Sequence, residues 1–140
     1  MSQAVPAFVI SLPAATARRA HCAAHHARLG IALTMLDGVD GRLLSDAERA
    51  AAVAPGVSLT PSEIGCHLSH VKAWQAIVAS GAPCGVVLED DGLIAKQFAP
   101  LIRAGLPCDQ FDYLFLDVDA HNELGPVAWD RNDGLALGHG

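Results

Sequence analysis

The sequence predicts an α/β fold, in which a mostly parallel sheet is flanked by helices. Short apolar runs suited to strands alternate along the chain with segments whose apolar residues recur at helical spacing. Strands that are joined through helices run parallel and are connected by right-handed crossovers. The length of 140 residues, with 51% hydrophobic and 17% charged residues, predicts a single globular domain over residues 1–140.

The first half of the chain carries two predicted strands and two predicted helices. Both strands have a continuous apolar centre, and the first helix is rich in alanine and stops at Gly30. The second strand leads into a turn that carries Asp37 and Asp40, each followed by glycine. These elements are, in order, strand 7–12, helix 13–29, strand 31–36 and helix 46–53.

A well-capped helix begins the second half. Thr60 supplies an N-cap hydroxyl, Pro61 lies in the first turn, and Glu63 stands where it completes a capping box. Apolar residues then recur at helical spacing as far as a glycine turn at Gly81. The pattern predicts one long helix between Thr60 and this turn.

A buried strand follows this helix and ends in three consecutive acids. Residues 85–88 form a short apolar run that is typical of a strand covered on both faces. Glu89, Asp90 and Asp91 come directly after it, where the strand leaves the sheet. Two further elements complete the prediction, a short helix 97–104 and a strand 111–116.

Acids follow three of the predicted strands: Asp37 and Asp40, then Glu89 to Asp91, then Asp117 and Asp119. Acids beside glycine also form ordinary turns, and this alternative applies above all to the first pair. Three adjacent carboxylates repel one another unless a cation joins them. Ligands of open α/β sheets bind at the carboxyl ends of the strands. Because Mg²⁺ and Mn²⁺ prefer oxygen ligands, the acids predict a metal-assisted site.

Several histidines require a separate interpretation. Glu63, His67 and His70 follow helical spacing, and the two histidines could chelate a transition metal together with the acid. The favoured alternative is that these histidines are half-buried or contact a ligand without metal. The histidines of the first helix are expected at the surface: His21, His25 and His26.

Charge and cysteine spacing exclude several classes of function. The net charge of −6 argues against nonspecific binding to nucleic acid. The four cysteines form no C-x-x-C pair, so we expect small buried side chains and no structural zinc site. Neither a signal peptide nor an apolar run of about 20 residues is found, which predicts a cytoplasmic protein with at most peripheral membrane contact.

The central block resembles glycosyltransferase family 25, the bacterial lipooligosaccharide glycosyltransferases related to collagen galactosyltransferases. The resemblance is carried by residues 63–70, EIGCHLSH, followed by 87–91, VLEDD. The stretches 9–12, with Arg18 and Arg19 downstream, and 37–42 are similar to the first two blocks of the same family. The resemblance implies a GT-A-type, Rossmann-like fold. It also implies an enzyme that transfers a sugar, typically galactose from UDP-galactose, to a lipooligosaccharide acceptor.

The resemblance also implies roles for individual residues. In such folds an acidic motif holds Mn²⁺ or Mg²⁺ against the diphosphate, and Asp90 and Asp91 occupy that position here. Asp117 and Asp119 form a second acidic motif and are candidates for a catalytic base, which stays unassigned. The expected nucleotide-sugar-binding residues lie in the matched blocks: Ser11, Leu12, Arg19, Asp37, Asp40, Ser69, His70 and Glu89.

Two alternatives to an active transferase stay open at this point. Family members are usually longer, and residues 121–140 are rich in turn formers, so we expect a poorly structured or truncated end. A non-catalytic remnant that binds the nucleotide sugar is the first alternative. A metal-dependent hydrolase that uses Glu63, His67 and His70 is the second.

Overall fold

The computed structural model describes residues 5–92, 94, 96–114 and 116, together with the backbone of 129–130 and 134–135. These residues divide into two units, 1–108 and 109–140. The first unit contains three strands and four α-helices: β1 (Ala7–Ser11), α1 (Thr16–Arg28), β2 (Thr34–Asp37), α2 (Asp46–Ala51), α3 (Pro61–Ser80), β3 (Val86–Glu89) and α4 (Phe98–Ala104). The prediction of a single domain over residues 1–140 stays a prediction.

The three strands of the first unit form a parallel sheet in the order β2-β1-β3. β1 pairs with both neighbours, so that Ser11 lies opposite Asp37 on one side and Ile10 lies opposite Glu89 on the other. Val9, at the centre of β1, is fully buried, as expected for a strand with covered faces. The α/β class and the parallel sheet predicted from the sequence are confirmed.

The long helix α3 begins where the capping signal predicts. The Thr60 hydroxyl accepts a hydrogen bond from the amide of Glu63, whose carboxylate accepts in return from the amide of Thr60. Gly81 closes the helix in the left-handed conformation, with φ of 71°, which glycine adopts at little cost. Because both ends are fixed by local chemistry, the sequence alone was sufficient to predict them.

The predicted strand 111–116 is not found. Its described residues, 111–114 and 116, have no strand conformation in the second unit. That unit instead contains a short antiparallel pair, β4 (Trp129–Asp130) and β5 (Gly134–Leu135). An apolar run predicts a strand only if a neighbouring strand completes its hydrogen bonds, and periodicity cannot supply that information. Asp117 and Asp119 lie outside the described residues.

The cysteines behave differently from one another. Cys22 is buried, as expected, whereas Cys66 is exposed and free. Cys84 and Cys108 form a disulfide, so the expectation that every cysteine is a buried thiol was wrong. Cys84 lies just before β3 and Cys108 just after α4, and their Cα atoms are 5.7 Å apart. The two cysteines are 24 positions apart, and their spacing in the sequence does not reveal that the chain returns to bring them together.

Candidate functional site

The candidate site lies at the carboxyl ends of the three parallel strands. β1 ends at Ser11, β2 at Asp37 and β3 at Glu89, so all three ends face the same edge of the sheet. A cavity of about 380 Å³ opens there, and residues of α3 form part of its wall. Polar groups that are far apart in the sequence therefore meet around one space.

Asp90 is the most enclosed acid of the site. Its carboxylate accepts a hydrogen bond of 2.5 Å from the Ser11 hydroxyl, and Arg18 lies 3.6 Å from its other oxygen. The Asp90 side chain is only 8% exposed, whereas that of Arg18 is 54% exposed. A buried carboxylate requires such partners, because an isolated charge in this position is costly. Arg18 also lines the cavity, so its guanidinium contributes a positive charge there.

Arg19 connects the ends of β1 and β2. Its guanidinium donates hydrogen bonds to the Ser11 carbonyl at 3.3 Å and to the Asp37 carboxylate at 2.7 Å. Lys72 of α3 donates to the Asp37 carbonyl at 2.7 Å. Asp37 is thus held by cations on both its side chain and its backbone, although its carboxylate is largely exposed.

Asp40 and Arg42 form a bidentate pair beside the cavity. Two nitrogens of the guanidinium donate to the two carboxylate oxygens at 2.8 and 2.7 Å. The Arg42 side chain and amide, which bond to the carboxylate, lower the pKa of Asp40 below its usual range. The same pair raises the pKa of Arg42. Asp40 is therefore a charged acceptor that already has a partner, and Arg42 brings a second guanidinium to the cavity.

Backbone contact between α3 and the loop after β2 fixes one wall of the site. A Cβ atom on Gly65 would lie 2.5 Å from the Val39 carbonyl, and one on Gly41 would lie 1.8 Å from the Pro61 carbonyl. Only glycine permits so close an approach of two backbones. Ser69 strengthens the contact: its hydroxyl accepts from the Val39 amide at 2.8 Å and donates to the Gly65 carbonyl at 2.6 Å.

His70 and Glu89 meet at the mouth of the cavity. The Nε2 atom of His70 is 3.1 Å from Oε1 of Glu89, and the same oxygen is 3.9 Å from Sγ of Cys66. Burial and the nearby Glu89 carboxylate raise the pKa of the Cys66 thiol. Within the part of the chain that the structure describes, these are the only three Cys, His, Asp or Glu side chains whose ligand atoms converge as a group.

The hydrolase alternative is not supported by the position of Glu63. Its carboxylate is bonded to the amide and hydroxyl of Thr60 at the start of α3, which lowers the pKa of Glu63. His67 is exposed and does not join His70 in a group of ligands among the described residues. Helical spacing placed Glu63, His67 and His70 on one stripe, but the capping box takes the acid away from the histidines.

Asp91 is the acid best placed to accept a hard cation. It is exposed at the cavity, and among the described residues no hydrogen bond or ion pair to its carboxylate is found. The neighbouring Asp90 contributes a second carboxylate that Ser11 and Arg18 hold in place. One or two carboxylates, completed by phosphate oxygens, are a usual ligand set for Mg²⁺ or Mn²⁺. The residues present therefore fit the predicted cation.

A second cavity, of about 330 Å³, lies between α1 and the acids. His26, expected at the surface, is 2% exposed beside it. Its Nδ1 atom is 2.6 Å from the Cys22 carbonyl, so we assign the ring proton to that nitrogen. Burial lowers the pKa of His26, which keeps the ring neutral. The alanine-rich sequence of α1 did not reveal which of its faces packs inward.

Most of the predicted site residues are brought together. The cavity is lined by Ser11, Leu12, Asp40, Ser69, His70, Glu89, Asp90 and Asp91, while Arg19 and Asp37 support its base through the strand ends. Sequence reasoning assigned no role to Arg18, Arg42 or Cys66, which also line it. A signal existed for all three, because Arg42 and Cys66 lie inside blocks that carry the family resemblance and Arg18 accompanies the first block.

These features define a class of protein. A parallel α/β sheet with a cavity lined by polar side chains at its strand ends has the ligand-binding arrangement that is typical of open α/β proteins. The model of glycosyltransferase family 25, described as an LPS biosynthesis protein, matches residues 4–123. The chain belongs to glycosyltransferase family 25, and the resemblance found in the sequence is confirmed.

Individual relatives are similar over most of this chain. Lacto-N-neotetraose biosynthesis glycosyltransferase LgtB of Neisseria gonorrhoeae is 39% identical over 100 residues, which cover 64% of this chain and 34% of the relative. Inactive glycosyltransferase 25 family member 3 of Homo sapiens is 38% identical over 133 residues, which cover 88% of this chain and 20% of the relative. The chain thus matches about a fifth to a third of their length.

Proposed function

We propose that this chain binds a nucleoside diphosphate sugar and transfers the sugar to a saccharide acceptor. The observation that best supports this proposal is that acids and arginines lie together at the strand ends. Asp90 and Asp91 line the same cavity as Arg18 and Arg42. A diphosphate needs both kinds of group, cations against its oxygens and carboxylates for a bridging metal ion. Membership of glycosyltransferase family 25 supports the transfer reaction.

The proposed donor is UDP-galactose and the proposed acceptor is a lipooligosaccharide saccharide. The name of the Neisseria gonorrhoeae relative, a lacto-N-neotetraose biosynthesis glycosyltransferase, supports a saccharide acceptor. Asp37 and Asp40 would accept hydrogen bonds from the ribose or base of the donor. The proposed compartment is the cytoplasm, and none of the described helices is long and apolar enough to cross a membrane.

Mn²⁺ or Mg²⁺ is the proposed cofactor, held by Asp91 with Asp90 beside it. A cation there supplies positive charge that stabilises the departing diphosphate. Ser11 holds Asp90 through its hydroxyl and so orients the carboxylate toward the cavity. Ser69 contributes indirectly, since both hydrogen bonds of its hydroxyl are used to position the loop after β2. His70 and Glu89 would contact the sugar diphosphate from the α3 side.

The metal site is tested by UDP binding in calorimetry with and without Mn²⁺. Asp91→Asn keeps the size of the side chain but removes its charge, so Mn²⁺-dependent UDP binding should be lost. Asp119→Asn should weaken binding less, because we place the metal at the β3 end. Asp46→Asn is the matched control, since Asp46 is 98% exposed and pairs with Arg49 on α2. If Asp119→Asn weakens UDP binding more than Asp91→Asn does, the metal site would have to be assigned to the second acidic motif instead.

Binding without transfer is the second candidate function. It is favoured by one observation, that several animal relatives carry names that call them inactive. The two candidates separate in a galactosyl transfer assay with a lipooligosaccharide acceptor. Turnover that requires Asp91 would support the transferase, whereas Mn²⁺-dependent UDP binding without turnover would support the binding protein. Absence of both binding and turnover would contradict both.

A further inference from the structure

Three side chains of different chemistry converge at the mouth of the cavity. Cys66 and His70 lie one helical turn apart on α3, and Glu89 ends the neighbouring strand β3. One ligand atom from each side chain lies within 4.8 Å of the other two. We propose that these three residues form a second cation site, which binds a thiophilic divalent ion such as Zn²⁺.

The distances suit tetrahedral coordination. Zinc bonds of about 2.3 Å to sulfur and about 2.0–2.1 Å to nitrogen or oxygen imply nitrogen–oxygen edges of about 3.3 Å and sulfur–oxygen edges of about 3.6 Å. The corresponding distances here are 3.1 Å from His70 to Glu89 and 3.9 Å from Cys66 to Glu89. These two distances differ from the tetrahedral values by a few tenths of an ångström, and the ligand atoms of Cys66 and His70 lie within 4.8 Å of each other.

The backbone under these ligands is held in place. Ser69, which lies directly before His70, is buried and bonded to the Val39 amide. Gly65, directly before Cys66, packs against the backbone of the loop after β2. Glu89 is the last residue of the outer strand β3 and is paired with Ile10 of β1. A site whose ligands stand on a packed helix and a paired strand loses little entropy on binding.

The ligand set decides which ion is bound. A thiolate, an imidazole and a carboxylate favour zinc or another borderline metal, whereas Mg²⁺ and Mn²⁺ favour oxygen ligands alone. The hard cation of the proposed transferase would therefore stay at Asp90 and Asp91. On zinc binding, the Cys66 thiol releases its proton to solvent and its sulfur forms the bond to the metal.

Three protein ligands leave one position of a tetrahedral ion open. Structural zinc sites have four protein ligands, while an open position accepts water or an oxygen of a ligand. Cys66, His70 and Glu89 all line the cavity, so this open position would face the space proposed for the donor. The inference does not depend on the proposed function, because it requires only the three converging ligands.

Cobalt is the probe for this site, since Co²⁺ takes the place of Zn²⁺ and its bond to a thiolate absorbs in the near ultraviolet. The full chain, with Cys84 and Cys108 oxidised, should bind one Co²⁺ with such a band, and Zn²⁺ should remove the band. Cys66→Ser should abolish it, and Glu89→Gln should weaken cobalt binding. Cys22→Ser and His67→Gln are the matched controls and should keep the band, because neither residue belongs to the group.

Two results would overturn the proposal: no thiolate band in the unmodified chain, or a band that persists in Cys66→Ser. If Cys66→Ser does not fold, as judged by circular dichroism, the Glu89→Gln and His70→Gln variants decide instead. Unchanged cobalt affinity in both would then reject the site. Asp91→Asn should keep the cobalt band while losing Mn²⁺-dependent UDP binding, so this site and the proposed function can fail separately.

Discussion

The Val39 amide donates a hydrogen bond of 2.8 Å to the hydroxyl of Ser69, and this bond joins the loop after β2 to helix α3. The two residues are 30 positions apart, and the hydroxyl also donates to the Gly65 carbonyl one turn earlier. The loop carries Asp40, and the helix carries His70. A single buried hydroxyl thus sets the distance between two walls of the cavity.

Ser69→Ala should lower the free energy of unfolding by about 1–3 kcal/mol, because the Val39 amide loses its acceptor in a partly buried place. Chemical denaturation followed by circular dichroism measures the change. Ser58→Ala is the control, since Ser58 is exposed and its substitution should change stability by less than about 0.5 kcal/mol. Equal stability of the two variants would show that water replaces the Ser69 hydroxyl.

Gly65→Ala should destabilise the protein although alanine is the better helix former. A Cβ atom at this position would lie 2.5 Å from the Val39 carbonyl and 2.6 Å from the Gly41 amide nitrogen. Alanine gains up to about 1 kcal/mol in helix propensity, but overpacking against backbone costs about 1–3 kcal/mol or more. We therefore expect a lower melting temperature and weaker Mn²⁺-dependent UDP binding, since the cavity wall must move.

Gly92→Ala is the matched control for this substitution. A Cβ atom there would meet only the Glu89 carbonyl at 3.4 Å, which is ordinary van der Waals contact. Its melting temperature should stay close to that of the unmodified chain. A Gly65→Ala protein that melts at or above the unmodified chain would show that α3 and the loop can separate without cost.

The sequence predicted features that depend on neighbouring residues, but it did not predict contacts between residues that are far apart in the chain. Thr60 and Glu63 lie three residues apart and determine the start of α3 by themselves, so that prediction was confirmed. Cys66 and Glu89 are separated by 23 residues, and only the packing of α3 beside β3 brings them together. The family blocks marked His70 and Glu89 as site residues, but no spacing in the chain indicates that Cys66 joins them.

Thr60→Ala should lower the free energy of unfolding by about 1 kcal/mol, because the Glu63 amide at the start of α3 loses its acceptor. The matched variant is Ser45→Ala, which removes the same capping box from the much shorter helix α2. Loss of the α2 cap should affect stability less than loss of the α3 cap, since α3 packs buried residues such as Ile64 and Ala73 whereas α2 has none. Denaturant midpoints of both variants test this order.

The effect of Thr60→Ala should also depend on pH. Hydrogen bonds from the Thr60 amide and hydroxyl lower the pKa of Glu63 in the folded protein. A lowered folded pKa stabilises the fold above the pKa of the unfolded chain, and this contribution is lost as the pH falls through the folded value. The stability difference between the unmodified chain and Thr60→Ala should therefore shrink in acid. A difference that stays constant from neutral pH to below the Glu63 pKa would show that the Thr60 hydroxyl does not contribute to this lowered pKa and that the Thr60 amide is sufficient.

The last prediction concerns the charge state of Asp40 at the cavity. Arg42 bonds both carboxylate oxygens and lowers the pKa of Asp40, so Arg42→Gln should raise that pKa toward its ordinary value. Carboxyl-carbon NMR titration measures the shift directly. Arg49→Gln is the control, because Arg49 pairs with Asp46 and donates to the Leu44 carbonyl, and it should leave the Asp40 titration unchanged.

The sign of this shift has a consequence for ligand binding. With Arg42 present, Asp40 stays ionised further into acid, and its acceptor oxygens stay available to a ribose or base while the guanidinium keeps positive charge beside the diphosphate. In Arg42→Gln, UDP binding should weaken at neutral pH because a cation is lost. As the pH is lowered, protonation of Asp40 should weaken binding further, and this second loss should begin at a higher pH than in the unmodified chain. An Asp40 pKa that does not move in Arg42→Gln would mean that backbone hydrogen bonds alone hold this carboxylate charged, and Arg42 would then act on the ligand only.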